Sequence, residues 1–241
     1  MTELRLSVII PAFNEENRIG NTLMSVQNYL KRQSYGSEIL VVDDGSSDGT
    51  VQAVETHADF PRLRIIRNSI NRGKGHSVRK GIQSAEGAYS LFTDADNSTP
   101  IEEIDKFWPY FDRGFEVVIG SRGLQQSRIE VHQAAYREAM GRVFNLLVRA
   151  IAVRKIMDTQ CGFKAFTRRA GEIIFPRQTI ERWGFDAELL FIASKHGLGV
   201  AEVPIRWFNS PDSRISSLRD SAGMFLELLS IRYKDILGLY R

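Results

Sequence analysis

The chain has 241 residues, of which 43% are hydrophobic and 25% are charged, and this composition excludes disordered, collagen-like and disulfide-stapled proteins. Its length suits one large domain, which we expect to span residues 1–241. The net charge is only +3 and no dense Lys/Arg stripe is interleaved with aromatic residues, so a nucleic-acid partner is disfavoured.

Short apolar runs alternate with segments of helical period through the first half of the chain. Predicted strands cover residues 6–13, 38–44, 63–68, 88–96 and 116–121. After the first strand, Ile19, Leu23, Val26 and Leu30 recur at helical spacing and form one stripe of an amphipathic helix. Because nearly continuous apolar strands are buried on both faces, the alternation predicts a largely parallel sheet with right-handed crossovers.

The second half begins with a polar segment, after which a long helix is predicted at about 132–153. A short strand at 162–166, a helix near 185–196 and a strand at 199–205 follow. The last predicted element is an amphipathic helix from about residue 218. The most apolar stretch, 143–153, is far shorter than the ~20 residues that cross a membrane.

Polar and turn-forming side chains follow the predicted strands, and in open α/β sheets ligands bind outside the carboxyl ends of the strands. The residues at these ends are Pro11, Phe13, Asn14, Glu15, Asp43, Asp44, Gly45, Asn68, Asp94, Asp96, Ser121 and Arg122. The pattern therefore predicts a binding site on one rim of the sheet.

Asp94 and Asp96 are the best candidates for a metal site on that rim. Carboxylates that flank a turn suit Mg²⁺ or Mn²⁺ shared with a substrate diphosphate. The alternative is that they form the turn or cap the next helix, but Ser98 or Thr99 can provide that cap. We therefore expect both aspartates to be available to a cation.

The segment 71–77, NRGKGHS, is a glycine-rich loop that opens a helix, where backbone amides favour an anion. Lys74 could contact a phosphate there, and a flexible turn is the alternative. The loop is not a P-loop, because Gly75 stands where Ser or Thr should follow the lysine. The first strand also lacks the G-x-G-x-x-G turn of nicotinamide-binding proteins.

Six ordered motifs carry a resemblance to a known family. They are VIIPAFNEE (8–16), VVDDGSSDGT (41–50), NRGKG (71–75), TDADNSTP (93–100), GSR (120–122) and DTQCGFKAF (158–166). The set resembles the family 2 inverting glycosyltransferases, and DTQCGFK is most similar to the dolichyl-phosphate glucosyltransferase branch. The resemblance implies a GT-A fold of the α/β class, in which helices flank a Rossmann-like, mostly parallel sheet. It also implies a nucleotide-sugar half at about 1–122 and an acceptor half at about 123–241.

The resemblance also implies roles for individual residues. Donor-binding positions are Pro11, Phe13, Asn14, Glu15, Asp43, Asp44, Lys74, Asp94 and Gln160. Asp94 and Asp96 match the metal-binding pair, with Asp96 as the more direct ligand. Positions that match catalytic acids are Asp94, Asp158, Asp186 and Glu188, and those that face the acceptor phosphate are Arg122 and Arg137.

The implied reaction is transfer of glucose from UDP-glucose to a dolichyl or polyprenyl phosphate, with Mg²⁺ or Mn²⁺ as cofactor. Ser98 replaces an amide side chain of the mannosyl-type synthases, which weakens the mannose alternative. GDP-mannose as donor, a sugar hydroxyl as acceptor, and a non-enzymatic nucleotide-sugar sensor or scaffold remain alternatives. The oligomeric state stays open.

A lipid acceptor requires access to a membrane surface. Basic and apolar residues share the predicted helices at 132–153 and from 218, so we expect peripheral attachment through one of them. A solvated helix face is the alternative. Cys161 is the single cysteine and favours a reducing compartment, so we expect the protein at the cytoplasmic face of a membrane.

Overall fold

A seven-stranded sheet forms the centre of the structure, a computed structural model that describes residues 4–131, 146, 148, 153, 156–209 and 219–241. Its strands are β1 (Leu4–Ala12), β2 (Gly36–Asp43), β3 (Leu63–Arg67), β4 (Tyr89–Thr93), β5 (Val117–Ser121), β7 (Phe163–Thr167) and β8 (Val200–Pro204). The spatial order is β3-β2-β1-β4-β7-β5-β8. A second sheet pairs β6 (Arg128–Val131) with β9 (Arg206–Phe208) in parallel.

The central sheet is mostly parallel, as the apolar strands predict. Among the strands that the structure describes in this sheet, only β7 runs in the opposite direction, and it pairs antiparallel with β4 on one side and β5 on the other. The sequence predicts this strand but not its direction. Because β7 is reversed, it begins at the rim where β4 ends, with Thr93 opposite Phe163.

Helices cover both faces of the sheet. They are α1 (Ile19–Leu30), α2 (Thr50–Glu55), α3 (Lys74–Gln83), a 3₁₀ helix (Ile101–Lys106), α4 (Trp108–Asp112), α5 (Arg168–Ile174), α6 (Phe185–Lys195) and α7 (Arg219–Ile236). The predicted stripe of α1 is buried along its whole length. Along β1, Ile9 joins one hydrophobic cluster while Val8 and Ile10 join the other, so the sheet separates two cores.

The small sheet was not predicted, because β6 lies in the polar segment and carries no apolar run. Its position comes from pairing with the chain beyond β8, where the Arg128 amide donates to the Ile205 carbonyl at 3.0 Å. The predicted helix at about 132–153 falls almost entirely outside the described residues.

The final helix, α7, is amphipathic as expected. Leu228 and Ile231 are buried, whereas Leu226 is 66% and Ile236 is 81% exposed. Among the residues that the structure describes, no helix combines the length and apolarity that a membrane crossing requires.

Candidate functional site

The predicted rim exists, because β1, β2, β4 and β5 end at the same edge of the central sheet. The reversed strand β7 begins at this edge and brings the segment before Phe163 beside the end of β4. The rim therefore combines side chains that are far apart in the sequence.

Hydrogen bonds connect the loop after β1 to the loop after β2. The Asn14 amide donates to Ser46 Oγ at 2.9 Å, the Glu15 amide donates to Thr50 Oγ1 at 2.7 Å, and Asn14 Oδ1 accepts from the Ser47 amide at 2.8 Å. Asn14 has a φ of 54°, a left-handed conformation that asparagine tolerates better than most residues. These bonds fix the backbone around the predicted donor-binding residues.

The other donor-binding candidates at the end of β1 differ in the solvent exposure of their side chains. Pro11 lies within the strand, opposite Val42 of β2. Phe13 is 36% exposed and lies just beyond the strand end. The Glu15 carboxylate pairs with Arg18 at 2.6 Å. Of these side chains, Phe13 presents the most accessible surface to a flat ligand such as a nucleobase.

Asp43 and Asp44 are both buried at the end of β2. Asp43 Oδ1 accepts from the Ser46 amide at 3.2 Å. Asp44 uses both oxygens: Oδ1 accepts from Asn68 Nδ2 at 2.7 Å, and Oδ2 accepts from the Gly73 amide at 2.7 Å. Asp44 therefore positions the glycine-rich loop, and its predicted contact with a nucleotide stays a prediction.

The glycine-rich loop opens α3, as predicted. Gly73 has a φ of 110°, and a Cβ on Gly75 would lie 2.7 Å from the Ile180 carbonyl oxygen. Both positions require glycine, because the first conformation disfavours a side chain and the second leaves no room for one. The loop consequently lies against the segment before α6, and α3 starts at Lys74 with its amino-terminal end at the rim.

Lys74 and Asp94 form the central ion pair of the site. Lys74 Nζ lies 2.6 Å from Asp94 Oδ1. Burial alone would lower the pKa of Lys74, but the carboxylates of Asp94 and Asp186 outweigh it and raise that pKa. A Cβ on Gly162 would collide with the Asp94 carboxylate, so the glycine before β7 makes the space that Asp94 fills.

Asp96 differs from the sequence expectation. Neither Ser98 nor Thr99 caps the 3₁₀ helix, whose N-cap is Pro100 and has no side-chain hydrogen bond. Instead, Asp96 Oδ1 accepts from the Ser98 amide at 3.0 Å and itself shapes the turn. Burial and the neighbouring charge of Asp94 raise the pKa of Asp96.

The residues at the end of β4 fit a divalent cation that is shared with a ligand. Among the described residues, no three His, Cys, Asp or Glu side chains converge as a metal cluster. Two neighbouring carboxylates are nevertheless a suitable donor set for Mg²⁺ or Mn²⁺ when phosphate oxygens and water complete the shell. Asp94 already holds one positive charge, that of Lys74.

Arg122 and Asp158 form a second, bidentate ion pair. Arg122 Nε donates to Asp158 Oδ2 at 2.7 Å and Nη2 donates to Oδ1 at 2.9 Å. Burial alone would raise the pKa of Asp158, but the charge and hydrogen bonds of Arg122 lower it to about 2. Asp158 is therefore ionised and bound at both oxygens by Arg122. In return it orients Arg122, which is predicted to face the acceptor phosphate.

Gln160 lies two residues beyond Asp158. Its backbone amide donates to Asp158 Oδ1 at 3.2 Å. Its Nε2 is buried and has no hydrogen-bond partner among the described residues. An unpaired buried donor of this kind matches its predicted donor-binding role, because a ligand oxygen would satisfy it.

Asp186, at the start of α6, pairs with Lys164 of β7, and both side chains are buried. Burial raises the pKa of Asp186, although the charge of Lys164 opposes this shift. Lys164 Nζ also donates to the Cys161 carbonyl at 2.5 Å. Lys164 was missed in the sequence, where its only signal is a charged residue inside the apolar run GFKAF.

Glu188 lies on α6, two residues after Asp186. Its side chain is fully buried and accepts from the Thr179 amide at 3.0 Å, the Ile180 amide at 2.8 Å and the Tyr240 hydroxyl at 2.6 Å. These bonds hold the chain segment that packs on the glycine-rich loop, and the catalytic role of Glu188 stays a prediction. Arg137 lies outside the described residues.

The family model for glycosyl transferase family 2 matches residues 7–174. The chain belongs to glycosyl transferase family 2. A dolichyl-phosphate beta-glucosyltransferase of Dictyostelium discoideum is 33% identical over 98% of this chain and 76% of the relative. One from Saccharomyces cerevisiae is 36% identical over 99% of this chain and 77% of the relative.

Similar solved structures of glycosyltransferases establish the GT-A fold. Glucosyl-3-phosphoglycerate synthase of Mycobacterium tuberculosis in complex with UDP is 20% identical, with a TM-score of 0.71 over 95% of this chain and 80% of that chain. Mannosyl-3-phosphoglycerate synthase of Rubrobacter xylanophilus is 19% identical, with a TM-score of 0.72 over 98% of this chain and 75% of that chain.

Proposed function

We propose that this glycosyltransferase moves glucose from UDP-glucose to a dolichyl or polyprenyl phosphate, with inversion at the anomeric carbon. The observation that carries the proposal is the cluster of Lys74, Asp94 and Asp96 at the amino-terminal end of α3. Such a cluster suits a diphosphate and its cation. The glucose donor and the lipid acceptor are supported by the names of the relatives, which match nearly the whole chain.

On the donor side, Asp94 and Asp96 would hold Mg²⁺ or Mn²⁺. When bound, the cation supplies charge stabilisation for the departing nucleoside diphosphate. The metal dependence is supported by a relative of known structure, the Mycobacterium tuberculosis synthase, which was crystallised with Mn²⁺ and UDP. Lys74 and the amides that open α3 add positive charge on the same side.

On the acceptor side, a phosphate needs no general base. A phosphate monoester has a second pKa of about 6 and is mostly ionised at neutral pH. Asp158 is poorly suited to remove a proton from a sugar hydroxyl, because Arg122 binds both of its oxygens and its pKa is about 2. The pair supports a phosphate acceptor, with Arg122 as the group that orients it.

Access to the lipid would come from α7. Its outer face carries a stripe of exposed apolar residues at helical spacing, which are Leu226, Leu229, Tyr233 and Ile236. We call these residues the α7 stripe. Exposed Arg232 lies beside it. An apolar stripe next to a cationic residue suits peripheral binding to an anionic membrane surface, and we propose the cytoplasmic face.

The function is tested by offering the purified protein a panel of labelled nucleotide sugars with polyprenyl phosphate and Mg²⁺ or Mn²⁺. We expect label from UDP-glucose in the lipid phase, and little label without metal or with Asp96→Asn. Preferred label from GDP-mannose would support the mannose alternative. Label on soluble saccharides would support a hydroxyl acceptor, and UDP-glucose binding without turnover would support a sensor.

A further inference from the structure

The ammonium group of Lys74 binds the carboxylate that a divalent cation would need. Its Nζ lies 2.6 Å from Asp94 Oδ1. Both oxygens of Asp94 lie against Gly162: an added Cβ would collide with Oδ2 and lie 2.7 Å from Oδ1. Lys74 therefore occupies the oxygen that lies farther from Gly162.

Lys74 is held in this position by its surroundings. It is the first residue of α3, and its side chain is only 17% exposed. Its Nζ lies 5.9 Å from the centre of the Phe92 ring and 5.8 Å from that of Trp183, distances at which aromatic faces attract a cation. The lysine of this pair is thus packed against its neighbours, whereas the Asp94 side chain is 35% exposed.

We propose that Lys74 is an internal counter-ion for Asp94 and that it couples the binding of a divalent cation to the binding of the donor diphosphate. This inference rests on the proposed function, because it assigns the metal to Asp94 and the diphosphate to the end of α3. Lys74 must leave Oδ1 of Asp94 before a divalent cation can bind that oxygen. The donor diphosphate offers the ammonium group a new anionic partner.

Two consequences follow from this exchange of partners. The metal ion alone binds weakly, because it competes with the ammonium group of Lys74 for the carboxylate of Asp94. Nucleotide diphosphate tightens metal binding beyond the effect of its own oxygens, because it also removes Lys74 from Asp94. By linkage, metal must increase the affinity for nucleotide by the same factor.

The test measures Mn²⁺ binding to the purified full chain by electron paramagnetic resonance of free Mn²⁺, with and without UDP. For Lys74→Met we expect Mn²⁺ alone to bind at least about fivefold tighter than to the unchanged protein, within the usual range of coupling factors. The factor by which UDP tightens Mn²⁺ binding should fall by a similar amount. Lys74→Gln is measured in the same way, so that a folding defect of one variant is not mistaken for the effect of losing the charge.

The matched control is Arg72→Met, which removes a positive charge from the same loop. Arg72 pairs with Glu181 at 2.6 Å, and Arg79 remains beside Glu181 when Arg72 is lost. We expect Arg72→Met to bind Mn²⁺ like the unchanged protein. The inference would be overturned if the Lys74 variants bound Mn²⁺ no more tightly than the unchanged protein. It would also be overturned if Arg72→Met increased the affinity for Mn²⁺ as much as the Lys74 variants do. Glucose transfer that persists in the unchanged protein would then show that only this inference had failed.

Discussion

At the scale of single residues, three acids of the site are paired with basic side chains from other elements. Lys74 pairs with Asp94, Arg122 with Asp158, and Lys164 with Asp186. Of these three pairs, only that of Lys164 with Asp186 is buried on both sides. Such a buried pair adds little net stability compared with apolar packing, but removing one partner leaves an expensive unpaired charge. The value of the three pairs here lies in fixing the position of each charged group before a ligand arrives.

The pair of Asp158 with Arg122 makes stability depend on pH in the acid range. The folded pKa of Asp158, about 2, is below its usual value of 3.8, so its stabilisation is complete above about pH 4. It is lost as the pH falls through 2. We expect Asp158→Asn to lower the free energy of unfolding by about 2 kcal/mol at pH 7, with a smaller difference at pH 3.

Urea unfolding of both proteins between pH 7 and pH 3 measures this difference. The matched control is Glu55→Gln, which removes the carboxylate of an exposed pair with Arg67. Such surface pairs contribute about 0–1 kcal/mol, so this variant should show little change at any pH. A difference for Asp158→Asn that stays constant down to pH 3 would contradict the assigned pKa.

Gly162 gives a second prediction at the residue scale. Gly162→Ala should push the Asp94 carboxylate away from its position and reduce glucose transfer by about 100-fold, because small misplacements at a reacting centre are costly. The initial rate of lipid labelling measures the loss, and circular dichroism checks the fold. Gly171→Ala is the control, because its added Cβ meets only Ile82 at an ordinary 3.5 Å. Normal activity of Gly162→Ala would show that Asp94 is not needed where the structure places it.

At the scale of elements, α3 and β7 bring the site together. The glycine-rich loop predicts the start of α3, because its backbone requirements are local and visible in the sequence. The reversed direction of β7 is not visible, since an apolar run reads the same in a parallel or an antiparallel strand. That direction is what brings Gly162 and Lys164 to the rim.

The α7 stripe gives a prediction for a whole element. Leu226→Glu with Ile236→Glu should weaken binding to anionic vesicles by at least about tenfold, because both exposed apolar groups become negatively charged. Flotation with vesicles of anionic phospholipid measures the effect. Met24→Glu is the control, because Met24 is also exposed, at 50%, but lies on α1. Equal flotation of all three proteins would exclude α7 as the attachment site, and UDP binding should be unchanged throughout.

At the scale of the whole molecule, the sequence predicts the alternation of strands and helices, the rim and the family correctly. Each of these depends on local patterns or on motifs in a fixed order. Pairings between distant residues, such as Glu188 with Tyr240, leave no local pattern, so the sequence does not predict the structural contacts of Glu188. The division near residue 122, the cytoplasmic location and the role of Arg137 stay predictions.

The place of β7 between β4 and β5 also bears on how the molecule assembles. β4 and β5 are not neighbours until residues 163–167 lie between them. The first 122 residues therefore lack the strand that pairs with both β4 and β5, and about forty-five more residues must be translated to supply it. Because unpaired strand edges promote association between chains, we expect a fragment that ends at residue 122 to aggregate when expressed.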